Sequence, residues 1–292
     1  MALRIRRSLR ASFWDGFFAS IQFGIIDQFA TPLAMFMGAD KIAIGFLHFV
    51  RSSLVSVVQY KASDITAALR SRKKLILFSV FIAALLWLPA YFLPFLFPNH
   101  KVLLFIALFT LASCFNMLAT PAWASLMAEY VPAGKRGHYF GWRNSLLGTV
   151  YTVSVILAGL LLHYFTEFNL FLGFAILVST ASLTRFVSWM FLTRMYEPSW
   201  RVTRTDYFSF GAFIGRIRAS NFARFAVICA FFMFSVSLVS PFFAVFLIEE
   251  LGLDYWTFTL IITAAVITSF VGQRYWGDFA DKYGNMRMVR LA

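Results

Sequence analysis

Acidic side chains are scarce in this chain. It has 13 Asp and Glu against 26 Lys and Arg, and charged residues make up only 13% of it. A water-soluble domain carries about 25%, so the deficit argues against a fold bathed in water. Cysteine is scarcer still. Cys114 and Cys229 are the only two, and both sit inside apolar runs. A disulfide framework is therefore excluded, and the pair reads as small buried hydrophobes. The four histidines, His48, His100, His138 and His163, are dispersed, and no two have metal-ligand spacing. There is no H-E-x-x-H, no G-x-S-x-G and no G-x-x-x-x-G-K-(S/T), so neither a hydrolase nor an ATP-driven pump is indicated. No metal and no cofactor are expected.

What the chain does have is apolar length. Of its 292 residues 60% are hydrophobic and 19% aromatic. A soluble fold cannot hide that much apolar surface, which makes lipid the expected solvent. A membrane span needs about 20 apolar residues. Eight runs qualify, at about 13–37, 42–60, 75–97, 102–127, 139–163, 169–192, 222–248 and 255–277. They lack strand alternation, and backbone groups in hydrocarbon must be satisfied within the segment, so the spans are read as helices. The expected fold class is all-α, a polytopic membrane bundle. The basic start, Arg4 to Arg10, imitates a signal peptide, but the apolar run behind it continues to Met37 and contains Asp15 and Asp27. That is too long for a cleaved segment and reads as a retained first span.

The bases are placed unevenly. With the N-terminus in the cytoplasm, 21 of the 26 fall on cytoplasmic segments or span edges, and only Lys41 and Lys101 fall outside. This asymmetry predicts the orientation, in a bacterial inner membrane. It also argues against a nucleic-acid protein, because the cations are spread over five separate segments. Residues 193–221 form the longest polar segment, a cytoplasmic linker. In it Tyr207, Phe210, Ile214 and Ile217 recur at helical spacing and predict a short amphipathic helix at the interface.

Sliding the chain by 214 residues aligns Gly38 with Gly252, Asp40 with Asp254, Gln59 with Gln273 and Asp64 with Asp278. Such an offset is what two related bundles would produce: residues 1–192 as a complete six-helix half, and 222–292 as the start of a second half.

Ionisable groups at bilayer depth cost about 2.5–3.5 kcal/mol each and mark functional candidates. Asp27 lies about 15 Å from the outer end of the first span and Arg51 about 14 Å along the second, by helical rise. Both depths are near the middle of a roughly 30 Å core. Two roles are open for them: a buried pair that fixes two helices, or a site where Asp27 binds a proton or solute and Arg51 tunes it. Gly16, Ser20, Gly24, Asp27 and Thr31 form a stripe on the first span that suits either close helix packing or cavity lining. Ser113, Asn116, Thr120 and Trp123 share a face of the fourth span. Glu129, Arg136, Arg143 and Arg185 lie toward the cytoplasmic side, as a structural or gating charge network.

After the last span comes Gly277-Asp278-Phe279-Ala280-Asp281-Lys282-Tyr283-Gly284-Asn285-Met286-Arg287. Gly277, Asp281, Lys282 and Gly284 make this stretch similar to the loop signature of the major facilitator superfamily, although Asn285 and Met286 depart from its two basic positions. Glu129 to Gly137, read E-Y-V-P-A-G-K-R-G, and Ser240-Pro241-Phe242-Phe243 carry the same resemblance. The first-half counterpart, Ser63 to Arg70, lacks the glycines and the second acid, which puts its role as a latch in doubt. The resemblance implies alternating-access secondary transport of a small-molecule substrate, coupled to a proton or sodium ion. It implies that spans one, four, seven and ten line the cavity, making Asn116, Thr120 and Trp123 candidate contacts, and that Gly277, Asp278, Asp281, Lys282, Gly284 and Arg287 form a cytoplasmic gating loop. It also implies twelve spans, so the chain is expected to end before the ninth. A sugar-like substrate, amphipathic-drug efflux and a non-transporting receptor or scaffold all remain open.

Overall fold

The computed structural model describes residues 2–132, 136–198, 215 and 220–268. The loop candidates Gly277 to Arg287 and the amphipathic residues Tyr207, Phe210, Ile214 and Ile217 lie outside them, as does the second half of the internal repeat beyond Thr268. Every described element is helical: α1 (Ala2–Phe36), α2 (Lys41–Leu69), α3 (Arg72–Phe92), α4 (Lys101–Tyr130), α5 (Arg136–Thr166), α6 (Leu170–Thr193), α7 (Asn221–Val245) and α8 (Tyr255–Thr268). Short 3-10 turns at Leu93–Leu96 and Pro98–His100 join α3 to α4, and a π turn at Phe246–Glu250 extends α7.

Among the described residues six helices are long and apolar enough to cross a membrane: α2, α3, α4, α5, α6 and α7 with its π turn. α1 is as long, at 35 residues, but is not among them. Its polarity is turned inward instead. Ser8, Ser12, Asp15, Gln22 and Thr31 are all buried, and the helix packs along α6 and α5, while α3 packs along α4 and α6, and α2 along α4. A polar helix is tolerable at bilayer depth when its neighbours supply hydrogen-bond partners and shield it. α7 shows the opposite pattern. Phe231, Phe232 and Phe234 are each more than 60% exposed, presenting an apolar surface suited to hydrocarbon.

Two apolar clusters hold the helices together. One centres on Phe29, Trp87, Phe105, Phe109 and Phe174, the other on Leu75, Leu118, Leu126, Met127 and Leu192. In hydrocarbon such contacts gain from close packing rather than from leaving water. Gly24 shows how tight this is. A Cβ there would stand 2.9 Å from the Tyr151 carbonyl oxygen and 3.3 Å from Ser154 Cβ, so only glycine lets α1 lie against α5.

The two turns paired by the repeat are built alike. Gly38 (φ 89°) and Gly252 (φ 62°) each take the left-handed conformation, and each is followed two residues on by a helix-capping aspartate. Asp40 accepts from the Ala43 amide at 2.7 Å. Asp254 accepts from the Trp256 amide at 3.2 Å and from the Thr257 hydroxyl at 2.5 Å, and it pairs with His163 at 3.0 Å. The α2–α3 corner is made differently. There Arg70, with no glycine to help, adopts φ 51°, and Ser71 caps α3 by accepting from the Lys74 amide at 3.1 Å.

Two consequences are testable. Arg70→Gly removes the left-handed strain of a Cβ-bearing residue, offset by glycine's greater freedom when unfolded. It should stabilise the protein by about 0.5–1 kcal/mol, read as a higher melting midpoint in detergent. The Thr257 hydroxyl, aided by the Thr257 and Trp256 amides and by His163, holds the Asp254 carboxyl below the usual carboxylate range. The stabilisation it lends α8 is therefore present at neutral pH and is lost only as pH falls through that depressed value. Carboxyl NMR should place the Asp254 midpoint below about 3.9, and Thr257→Val should raise it.

Candidate functional site

Inside the bundle lies a cavity of about 650 Å³ lined by α1, α3, α4, α5 and α6. Asn116, Thr120 and Trp123, which share one face of α4 by their spacing, all line it. Arg143 of α5 and Arg185 of α6 line it too, together with Asp15 of α1. Its apolar wall includes Phe23, Val80 and Met117.

The polar groups are held by a sparse set of bonds. Ser188 donates to Asp15 Oδ1 at 2.7 Å and accepts from Arg185 Nη1 at 3.2 Å, so a hydroxyl stands between acid and base. Among the described residues Asp15 makes no direct ion pair with either arginine. Arg143 donates to the Ser12 carbonyl at 3.1 Å and lies over the Trp123 ring at 4.7 Å. It crosses α1 at Gly16, where a Cβ would fall 3.0 Å from its Cζ and closer still to its Nη2. Asn116 donates to Gln22 at 3.3 Å, and Gln28 donates to the Tyr151 hydroxyl at 2.6 Å. Several buried polar atoms have no partner among the described residues, among them Arg143 Nε, Arg185 Nε, Trp123 Nε1 and Asn116 Oδ1. Leaving such a group unpaired costs about 1–3 kcal/mol, so an arrangement of this kind suits a ligand or water that completes it.

Asp27 and Arg51 do not line the cavity. They form an ion pair, 2.6 Å between Arg51 Nη2 and Asp27 Oδ1, with side chains 18% and 33% exposed for Arg51 and Asp27. The pair reaches the cavity through α4: Arg51 Nε donates to Ser113 Oγ at 3.1 Å, one turn before Asn116. Beside it Thr31 is hydrogen-bonded to His48 at 2.9 Å.

The other expected charge group divides. Glu129 pairs with Arg72 at 2.5 Å near the N-terminal end of the bundle. Glu197 joins them there, accepting from Ser71 Oγ at 2.6 Å and from the Arg72 amide at 2.7 Å. Arg136 donates to the Val131 carbonyl at 3.1 Å and closes the end of α4. Arg143 and Arg185 are in the cavity, away from both. Among the described residues the four therefore do not make one network: Glu129 serves the α2–α3 corner, Arg136 the end of α4, and Arg143 and Arg185 the cavity wall. Asp15 was the residue missed as a site member. Its signal was present, because Ser8, Asp15 and Gln22 recur every seven residues, about two helical turns, and all three are buried. Among the described residues no three His, Cys, Asp or Glu come close enough together to hold a metal ion.

The Asp27–Arg51 pair is measurable as a coupling. Arg51→Leu leaves Asp27 without its partner and should lower the melting midpoint. Adding Asp27→Asn should restore part of the loss, with an interaction energy of about 0.5–2 kcal/mol in the double-mutant cycle.

No curated protein matches the chain. A family model does, that of the Major Facilitator Superfamily, over residues 13–292. That match covers nearly the whole chain, and it agrees with an all-helical bundle in which six helices are suited to crossing a bilayer. The chain is a multi-pass membrane transporter protein and belongs to the major facilitator superfamily.

Proposed function

We propose that the chain takes a small polar solute into the α1–α6 cavity and moves it by alternating access, as a secondary transporter coupled to a proton or another cation. The cavity carries this reading. At about 650 Å³ it lies within the size range of small-molecule sites. A packing fault would be lined by apolar atoms, whereas this space collects Asp15, Asn116, Thr120, Arg143 and Arg185 from four helices. That polarity favours a small polar solute over a bulky amphipathic drug.

Asp27 is the coupling residue in this proposal. Protonated, it would release Arg51. Arg51 also holds Ser113 on α4, and Asn116 in the cavity follows one turn later. A proton at Asp27 would thus be felt at the solute. The Arg72–Glu129–Glu197 corner would serve as a latch at the N-terminal end, placed in the cytoplasm by the excess of bases there. Gly277, Asp278, Asp281, Lys282, Gly284 and Arg287 would act as the matching loop of the second half, with residues 1–192 as the first half.

Flux in proteoliposomes containing the 292-residue chain tests the reading. An imposed proton gradient should drive accumulation of a labelled solute from a panel of a hexose, a hexose phosphate, a monocarboxylate and a lipophilic cationic dye. Absence of flux for every member would favour a receptor or scaffold instead. Asp27→Asn should abolish gradient-driven accumulation while keeping solute counterflow; accumulation equal to that of the unaltered chain would remove Asp27 from the coupling.

A further inference from the structure

We infer that Arg143 and Arg185 bind the anionic group, carboxylate or phosphate, of a small organic solute in the α1–α6 cavity. The inference rests on the transport reading only for what the binding is for; the site itself stands on geometry.

The first observation is charge. Arg143 and Arg185 are both buried, at 7% and 5% exposure, and both line the same cavity. Arginine keeps its proton at any physiological pH. The acid facing them is Asp15, and it touches neither guanidinium, its Oδ1 accepting from Ser188 instead. One carboxylate against two guanidiniums leaves the cavity with a positive excess. Burying a charge without its counter-charge is costly, and cells tolerate it where a ligand supplies the missing sign.

The second observation is which hydrogen-bonding groups are free. Each guanidinium carries five N–H donors, and among the described residues Arg143 spends one on the Ser12 carbonyl and Arg185 one on the Ser188 hydroxyl. A carboxylate or phosphate accepts several hydrogen bonds and offers none when ionised, so it matches a surplus of donors. A neutral sugar hydroxyl would need acceptors in similar number.

The third observation is that the arginines are set in place rather than loose. Arg143 is held by the Ser12 carbonyl, the Trp123 ring and the glycine gap at Gly16. Arg185 is held by Ser188 and lies 5.7 Å from the centroid of Phe23. A guanidinium fixed before its anion arrives loses little freedom on binding. Phe23, Val80 and Met117 leave an apolar wall for the rest of the molecule, so the solute joins an anionic head to a compact organic body.

Calorimetry on the detergent-purified chain decides this with three probes of one shape: benzoate, phenyl phosphate and benzyl alcohol. At least one anion should bind roughly 10–100-fold more tightly than the neutral alcohol. Whichever of benzoate and phenyl phosphate binds more tightly identifies the head group. Arg143→Gln and Arg185→Gln should each weaken that anion by about tenfold or more, whereas Arg143→Lys, which keeps the charge, should weaken it less. Lys61→Gln, on the exposed face of α2, should leave it unchanged. If a glutamine variant fails to fold, the anion-to-alcohol ratio in the unaltered chain and the Arg143→Lys measurement still decide. Equal binding of all three probes, binding of none, or full affinity in both folded glutamine variants overturns the inference. Flux identifies which reading has failed. Transport of neutral solutes without anion binding sinks the anion site alone, and anion binding without flux of any solute sinks transport alone.

Discussion

Polar side chains in hydrocarbon have to find polar partners, and this bundle gathers them around one helix. α1 carries Ser8, Ser12, Asp15, Gln22 and Thr31 into buried positions, and its neighbours answer with Arg143, Arg185, Ser188, Asn116 and His48. The remaining helices are then free to be apolar outside. Both the ion pair at Asp27 and the cavity at Asp15 follow from this arrangement, because α1 passes each of them in turn. The cost of an unpartnered charge in lipid makes the same contacts serve both stability and function.

The geometry separates two kinds of polar site. At the N-terminal end, Arg72, Glu129, Glu197 and Ser71 are linked to one another, and the corner between α2 and α3 is closed by those links. In the cavity, by contrast, buried donors are left over. A structural network is one in which partners are found within the protein; a binding space is one in which they are missing. On that criterion Glu129 and Arg136 belong to the frame, while Arg143 and Arg185 are candidates for contact with a solute. Asp27 and Arg51 stand between the two, paired with each other yet tied to the cavity wall through Ser113.

Much of the candidate site is legible in the amino-acid order. Asp27 and Arg51 lie at matching depths on adjacent antiparallel runs, and helical rise alone brought them level. Asn116, Thr120 and Trp123 share a face by spacing, and they face the cavity. Asp15 was harder to see, because a single acid near the start of a basic segment looks like an interfacial residue. Only the seven-residue recurrence of Ser8, Asp15 and Gln22 distinguishes it. Arg143 and Arg185 were visible as charges within spans, but their association was not, since forty-two residues of chain separate them.

The amino-acid order by itself determined the helical class, the membrane setting and the family. Those depend on hydrophobic length, on the need to satisfy every backbone group within a segment, and on local motifs, all of which are properties of neighbouring residues. Tertiary structure decided which charges meet. Whether Glu129 pairs with Arg72 or joins Arg143 depends on the rotation and approach of whole helices. That is set by contacts such as Gly24 against Tyr151, whose partners are distant in the chain and close only in the folded bundle.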